Sequence, residues 1–155
     1  MSRVVDVTVD GARSPLGAER IKDIALGVLA AENVRDALVS ITLVSPTTIT
    51  QINRRHLSHR GPTDVISFAL GPTPGGARNV VVGDIYIAPD VARENAQRFG
   101  SGVREEIARL VVHGTLHVLG HDHPEGDARI ASPMWRRQEQ LLATLTRPKR
   151  RASRR

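Results

Sequence analysis

The chain predicts an α+β domain, a small sheet of about four strands packed with about five helices, with a candidate metal site on a central buried helix. Three observations predict it. Four short segments, residues 4–9, 38–44, 64–70 and 80–88, have the alternation or continuous apolar run of strands. Five other segments open on capping residues or proline and carry apolar side chains at helical spacing. At 155 residues the chain can bury one real core. We expect residues 1–146 to form that single domain and residues 147–155 to be a basic, disordered tail.

In order, Val5, Val7 and Val9 alternate with Asp6 and Thr8, so residues 4–9 read as a half-buried strand closed by Gly11. Ser14-Pro15 has the order of a helix start, and Ile21, Ile24, Ala25, Val28 and Leu29 follow on one face, with an end near Asn33. The second strand, 38–44, places Val39, Ile41 and Leu43 together, and Ser45-Pro46 opens a helix through Ile49, Ile52 and His56. A third strand spans 64–70. Residues 71–79, rich in glycine and proline and without periodicity, predict a mobile loop. The run 80–88 is nearly continuous in Val and Ile, which suits a strand inside the sheet. Pro89 starts a short helix that ends at Gly100. Ser101 is the expected cap of the next helix, whose first turns hold Glu105 and Glu106 where acids suit the dipole. That helix is apolar on two sides and polar only on the narrow His113/His117 face, with Glu106 and Arg109 a turn or two back. Ser132-Pro133 opens the last helix, with Leu141, Leu142 and Leu145 on its apolar face and Trp135 as its expected anchor.

No window has the apolar length of a membrane span, and the first ten residues carry acids where a signal peptide needs an apolar run, so a cytoplasmic protein is expected. The absence of cysteine agrees with a reducing compartment and removes thiolates from any metal site. The net charge of +6 suggests a polyanion partner until it is located. The last nine residues hold six of the basic side chains, and the remainder has sixteen bases against sixteen acids. A salt-sensitive affinity of the tail for phosphate and a merely solvated end are equally compatible with that distribution.

Four of the six histidines fall in His113-Gly-Thr-Leu-His117-Val-Leu-Gly120-His121-Asp-His123. His113 and His117 are four residues apart at the end of a helical pattern and project from one face. Gly120 can adopt the left-handed conformation that ends a helix, and the return can bring His123 to the same ion. An isolated His-x-x-x-His is more often a pair of surface histidines. The third histidine after a glycine turn points instead to a metal site with an open position, suited to one zinc or another borderline divalent ion. The ligand spacing is that of the metzincin zinc peptidases, but those enzymes need a glutamate directly after the first histidine as general base, and Gly114 stands there. Lewis-acid chemistry on a phosphoryl oxygen does not need that glutamate, so phosphodiester cleavage stays open.

A second constellation, Arg54, Arg55, His56, His59 and Arg60, contains no acid and can position a polyanion; the plain alternative is a helix end where cations suit the dipole. Asp64, Asp84 and Asp122 read as turn residues or as carboxylates orienting a histidine rather than as bases.

Three motifs in order, Gly61-Pro-Thr-Asp-Val-Ile-Ser-Phe68, Gly83-Asp84-Ile85 and the histidine stretch with glycine for glutamate, give the chain a resemblance to the YbeY-type endoribonucleases, which act as ribosomal RNA maturation factors. The likeness spans roughly residues 40 to 145. It implies a metal held by His113, His117 and His123, single-strand-specific RNA cleavage, and a role in small-subunit ribosomal RNA processing and ribosome quality control. The sequence departs from the family at two places. His121 replaces the usual tyrosine and adds a fourth imidazole. The arginine the family often carries six residues before Pro-Thr-Asp falls nearest Leu57, and Arg60 or Arg55 is the candidate substitute. Arg60 is the candidate catalytic residue, and Arg54, Arg55 and Arg60 are the candidate RNA contacts. The competing readings are a ribosome-assembly or RNA-binding factor with a structural metal, and a zinc peptidase, which Gly114 disfavours.

Overall fold

The β-branched runs become strands in a computed structural model of the protein, which describes residues 2–57, 63–71 and 80–147. The strands are β1 (Arg3–Asp10), β2 (Ala37–Val44), β3 (Val65–Ala69) and β4 (Val81–Ile87), and the helices α1 (Ala18–Ala31), α2 (Pro46–Leu57), α3 (Pro89–Phe99), α4 (Val103–Val118) and α5 (Pro133–Leu145). A 3-10 turn, Gly126–Arg129, lies between the last two helices. The expected loop 71–79 is described only at Gly71, and the tail only at Arg147.

The sheet has the order β1-β2-β4-β3, with β1, β2 and β4 parallel and β3 antiparallel to β4. β4 therefore lies inside the sheet, where a strand buried on its faces needs the continuous apolar run it has. Val39 is opposite Gly83 and Ile41 opposite Ile85, so these residues share one face with Leu43 and Ile87. Helix α4 packs on β3 and β4, and α1, α3 and α5 each pack against α4. Most of α4 is buried, including Ile107, Leu110, Val111, Val112 and Leu116. Each fully buried aliphatic side chain of this kind contributes about 1.5–3 kcal/mol, so the helix that carries the histidines is among the best-held parts of the molecule. On the other face of the sheet, Ile49 of α2 is buried with Val44, Ile66 and Ala88, and Ile52, Phe68 and Tyr86 close around them. Val4 and Leu38 on that face remain exposed.

The helix ends show local chemistry at work. Residue 33 after α1, residue 100 after α3 and residue 120 after α4 all have positive φ, at Asn33, Gly100 and Gly120. Each makes the paired end bonds of a Schellman turn: after α4, the His121 amide donates to the Leu116 carbonyl and the Gly120 amide to the His117 carbonyl. Ser45 and Ser132 cap α2 and α5, accepting from the amides of Thr48 and Trp135.

Four expectations are corrected. Ser14 does not open α1; its hydroxyl is bonded within a local turn to Leu16, and the cap is Gly17. The α4 cap is Gly102 rather than Ser101, without a side-chain bond. Val9, next to the end of β1, is 53% exposed. Met134, not Trp135, is the buried anchor of α5, and Trp135 is half-buried at a cleft.

Candidate metal centre

His113 and His117 lie one turn apart on α4, and the Schellman turn at Gly120 reverses the chain so that His123 reaches the same point. One ring nitrogen from each of the three lies within 4.8 Å of the others. The ring centroids are 4.6, 4.9 and 5.1 Å apart. The Asp122 carboxylate accepts from the His123 amide at 2.8 Å and fixes the end of the return.

Hydrogen bonds decide which nitrogens are presented. His117 Nδ1 is 2.9 Å from the His121 carbonyl and His123 Nδ1 is 2.9 Å from the Pro124 carbonyl. Carbonyls only accept, so both Nδ1 atoms carry the proton. His113 Nδ1 is 2.6 Å from Gln138 Oε1. The Gln138 amide has one orientation available, because its Nε2 donates to the Glu139 carboxylate at 3.1 Å. All three rings therefore carry hydrogen on Nδ1 and turn Nε2 lone pairs toward one another, the arrangement metal-ligating histidines adopt. Burial lowers the pKa of His113 to about 4 against the raising effect of Gln138, and burial also lowers that of His117. Neutral imidazoles at neutral pH are the form that binds a metal.

Gln138 is 1% exposed and is itself held. Arg109 pairs with Glu106 at 2.6 Å, with Glu139 at 3.1 Å and with Glu105 at 3.2 Å, so Arg109 fixes Glu139, which fixes Gln138, which fixes His113. Sequence reasoning missed Gln138. Its signal was a polar residue on the apolar stripe of α5, between Met134 and Leu141.

His121 does not join the cluster. Its Nε2 lies 3.1 Å from the Glu32 carboxylate at the end of α1, where Arg137 also approaches at 3.5 Å. Asp84 lies between Gly83 and Ile85 on β4 and so faces away from α4. Asp64, by contrast, lines the cleft with the histidines. Burial pushes its carboxyl above the usual range, against the hydrogen bond from Asn95 at 3.1 Å. That cleft, of about 440 Å³, is also lined by Arg129, which sequence reasoning did not single out. Arg54 and Arg55 are exposed on α2 and line a different cleft with Pro46, Thr47, Thr50 and Gln51. His59 and Arg60 lie outside the described residues.

Gly114 points at the sheet: a Cβ there would be 2.8 Å from Ile85 Cγ2. Gly83 meets α4 in the same way, with a Cβ 2.4 Å from Val118 Cγ1. These two glycines set how closely α4 approaches β4. The position after the first histidine is thus a packing position, and a glutamate does not fit it.

The family model described as Endoribonuclease YbeY matches residues 12–146. The chain belongs to the YbeY family. Among curated proteins named endoribonuclease YbeY, that of Bacillus licheniformis is 36% identical over 92% of this chain and 94% of its own length. That of Persephonella marina is 35% identical over 81% of each chain. The fold is similar to the solution structure of TM1509 from Thermotoga maritima, with a TM-score of 0.61 and 24% identity over 92% of this chain and 89% of the other. Among the described residues no helix is long and apolar enough to cross a membrane.

Proposed function

We propose that this chain is a zinc-dependent endoribonuclease that cuts single-stranded RNA in the maturation of small-subunit ribosomal RNA and in ribosome quality control, in the cytoplasm. The observation that carries the reading is the set of three convergent Nε2 lone pairs, each fixed by a bond to the opposite ring nitrogen. The relatives' name supplies the substrate class.

His113, His117 and His123 would hold one zinc ion. Three neutral nitrogens leave coordination open, and the bound ion would supply Lewis acidity toward a phosphoryl oxygen. The chain's own groups do the rest. Arg129, on the wall of the histidine cleft, steadies negative charge on the scissile phosphate. Asp64 is the one carboxyl among the described lining residues, and its raised pKa suits it to hold and pass a proton. Arg54 and Arg55, in their separate cleft, and Arg60 contact RNA phosphates, with Arg60 the substitute for the family arginine. The basic segment 147–155 adds salt-dependent affinity.

The test compares wild type with His117→Ala on unstructured RNA, with matched circular-dichroism spectra and metal content measured for both. Wild type should cleave and hold one equivalent of zinc, and the variant should do neither. Equal cleavage by the two would assign the activity to a contaminant. RNA binding without cleavage by zinc-loaded wild type would leave an RNA-binding factor with a structural metal. Arg60→Ala with unchanged cleavage would remove Arg60 from the machinery.

A further inference from the structure

A second cleft, of about 640 Å³, adjoins the histidine cleft, and the two share Thr63, Asp64 and Arg129. Phe99 and Trp135 both line it. Phe99 is 77% exposed, the most exposed large apolar side chain among the described residues. It is also held in place: it ends α3, which is closed by Gly100 at φ 70 and by the Ser101 amide bonded to the Ala96 carbonyl. A solvent-facing aromatic ring carried on a fixed helix end beside a reaction cleft is poor packing and good contact surface.

The charges point to the occupant. Glu106, Glu139 and Arg109 in this cleft are paired with one another, and Asp64 is bonded by Asn95. Arg98 and Arg129 make no ion pair with another described residue, and the Arg129 guanidinium lies 5.5 Å from the centre of the Trp135 ring. Two aromatic rings, two guanidinium groups without an ion pair among the described residues and a shared wall with the site of phosphate chemistry match an unpaired nucleobase flanked by phosphates.

We propose that this cleft is a nucleobase subsite, in which one unstacked base next to the scissile phosphate stacks on Phe99 and Trp135 while Arg98 and Arg129 take its flanking phosphates. The subsite rests on the ribonuclease reading above and deepens it. A base inside a duplex cannot enter, so the cleft selects single strands at the binding step. Stacking tolerates any base, so little sequence preference arises here.

Trp135 is the chain's one tryptophan, so its emission reports on this cleft alone. The probe is an uncleavable 2′-O-methyl RNA of about eight nucleotides, within the range one single-strand site covers, labelled for anisotropy. It should bind and quench Trp135 in the zinc-loaded protein, and a blunt duplex of the same sequence should leave the emission unchanged. Phe99→Ala should raise Kd by about 5- to 150-fold, and Phe99→Tyr should restore it. Phe99 is exposed enough that the fold survives, which thermal melting checks. Binding with unmoved Trp135 emission and an unchanged Kd in Phe99→Ala would overturn the subsite while leaving the ribonuclease reading intact, and would free the apolar face for a protein partner. Equal quenching by the duplex would also overturn it. No binding of the oligonucleotide at all would defeat both readings.

Discussion

Gly83→Ala tests whether the three-histidine cluster depends on the close approach of α4 to β4. In most strands alanine is better than glycine by about 0.5–1 kcal/mol. Here the added Cβ would lie 2.4 Å from Val118 Cγ1, 2.6 Å from Cγ2 and 3.0 Å from Cβ. The two Cγ methyls could swing away only by a χ1 rotation that a helical valine strongly disfavours, and the valine Cβ does not move on rotation. Forcing an extra methyl into a packed core costs about 1–3 kcal/mol, and at these distances the upper end applies. The net destabilisation should be about 2–2.5 kcal/mol. Val118→Ala alone removes two methyl groups from a residue 6% exposed, a loss of about 1.6 kcal/mol by transfer. In the double variant the new methyl takes the vacated volume, so the two losses should fall short of their sum by about 1 kcal/mol or more, within the range for contacting pairs. Urea unfolding of the metal-free proteins at equal m values measures all three. Because His117 precedes Val118, zinc affinity should weaken in Gly83→Ala and recover in the double variant. A Gly83→Ala protein as stable as wild type, or strictly additive effects, would refute the account of why glycine stands in this strand.

Three further outcomes follow from the site. Gln138→Leu removes the acceptor that fixes the His113 tautomer and should weaken zinc binding by about 10- to 100-fold, read by competition with a chromophoric chelator; Gln138→Glu, which keeps an acceptor, should recover most of it, and an unchanged affinity in Gln138→Leu would end the positioning role. Gly114→Glu should give a destabilised protein without peptidase activity on a casein substrate, since its side chain starts 2.8 Å from Ile85 Cγ2 and faces the sheet; a folded, active peptidase would contradict this. The folded pKa of His113 lies below the ordinary 6.5, at about 4. Stability contributed by the neutral ring is thus fully present above about pH 6.5 and is lost as pH falls toward about 4. Chelator-treated protein should lose about 2 kcal/mol from this group between pH 7.5 and 5. A flat melting temperature across that range would show that the ring is not held neutral by burial.

The fold was legible wherever one residue pattern decided one element. The apolar run of β4 predicts an interior strand, and β4 is interior. Proline after a capping serine marked the starts of α2 and α5, where the hydroxyl does cap. The same signal misled at Ser14, because a serine hydroxyl can close a two-residue turn as readily as it caps a helix. Trp135 misled for another reason. Its position on α5 says nothing about what packs above it, and a cleft lies there instead of core.

The sequence by itself determined the three-histidine geometry, because that geometry is local. A four-residue step on a helix and a glycine-closed end bring His113, His117 and His123 together under short-range backbone rules. Tertiary structure decided what depends on residues far apart in the chain. It sent His121 to Glu32 on α1, turned Asp84 to the far face of the sheet, and brought Gln138 from α5, steadied through Glu139 by Arg109, to fix the proton on His113. It also gave Gly114 a second reason to be glycine. The missing carboxylate is visible in the sequence, but the contact with Ile85 that excludes one exists only when α4 lies against the sheet.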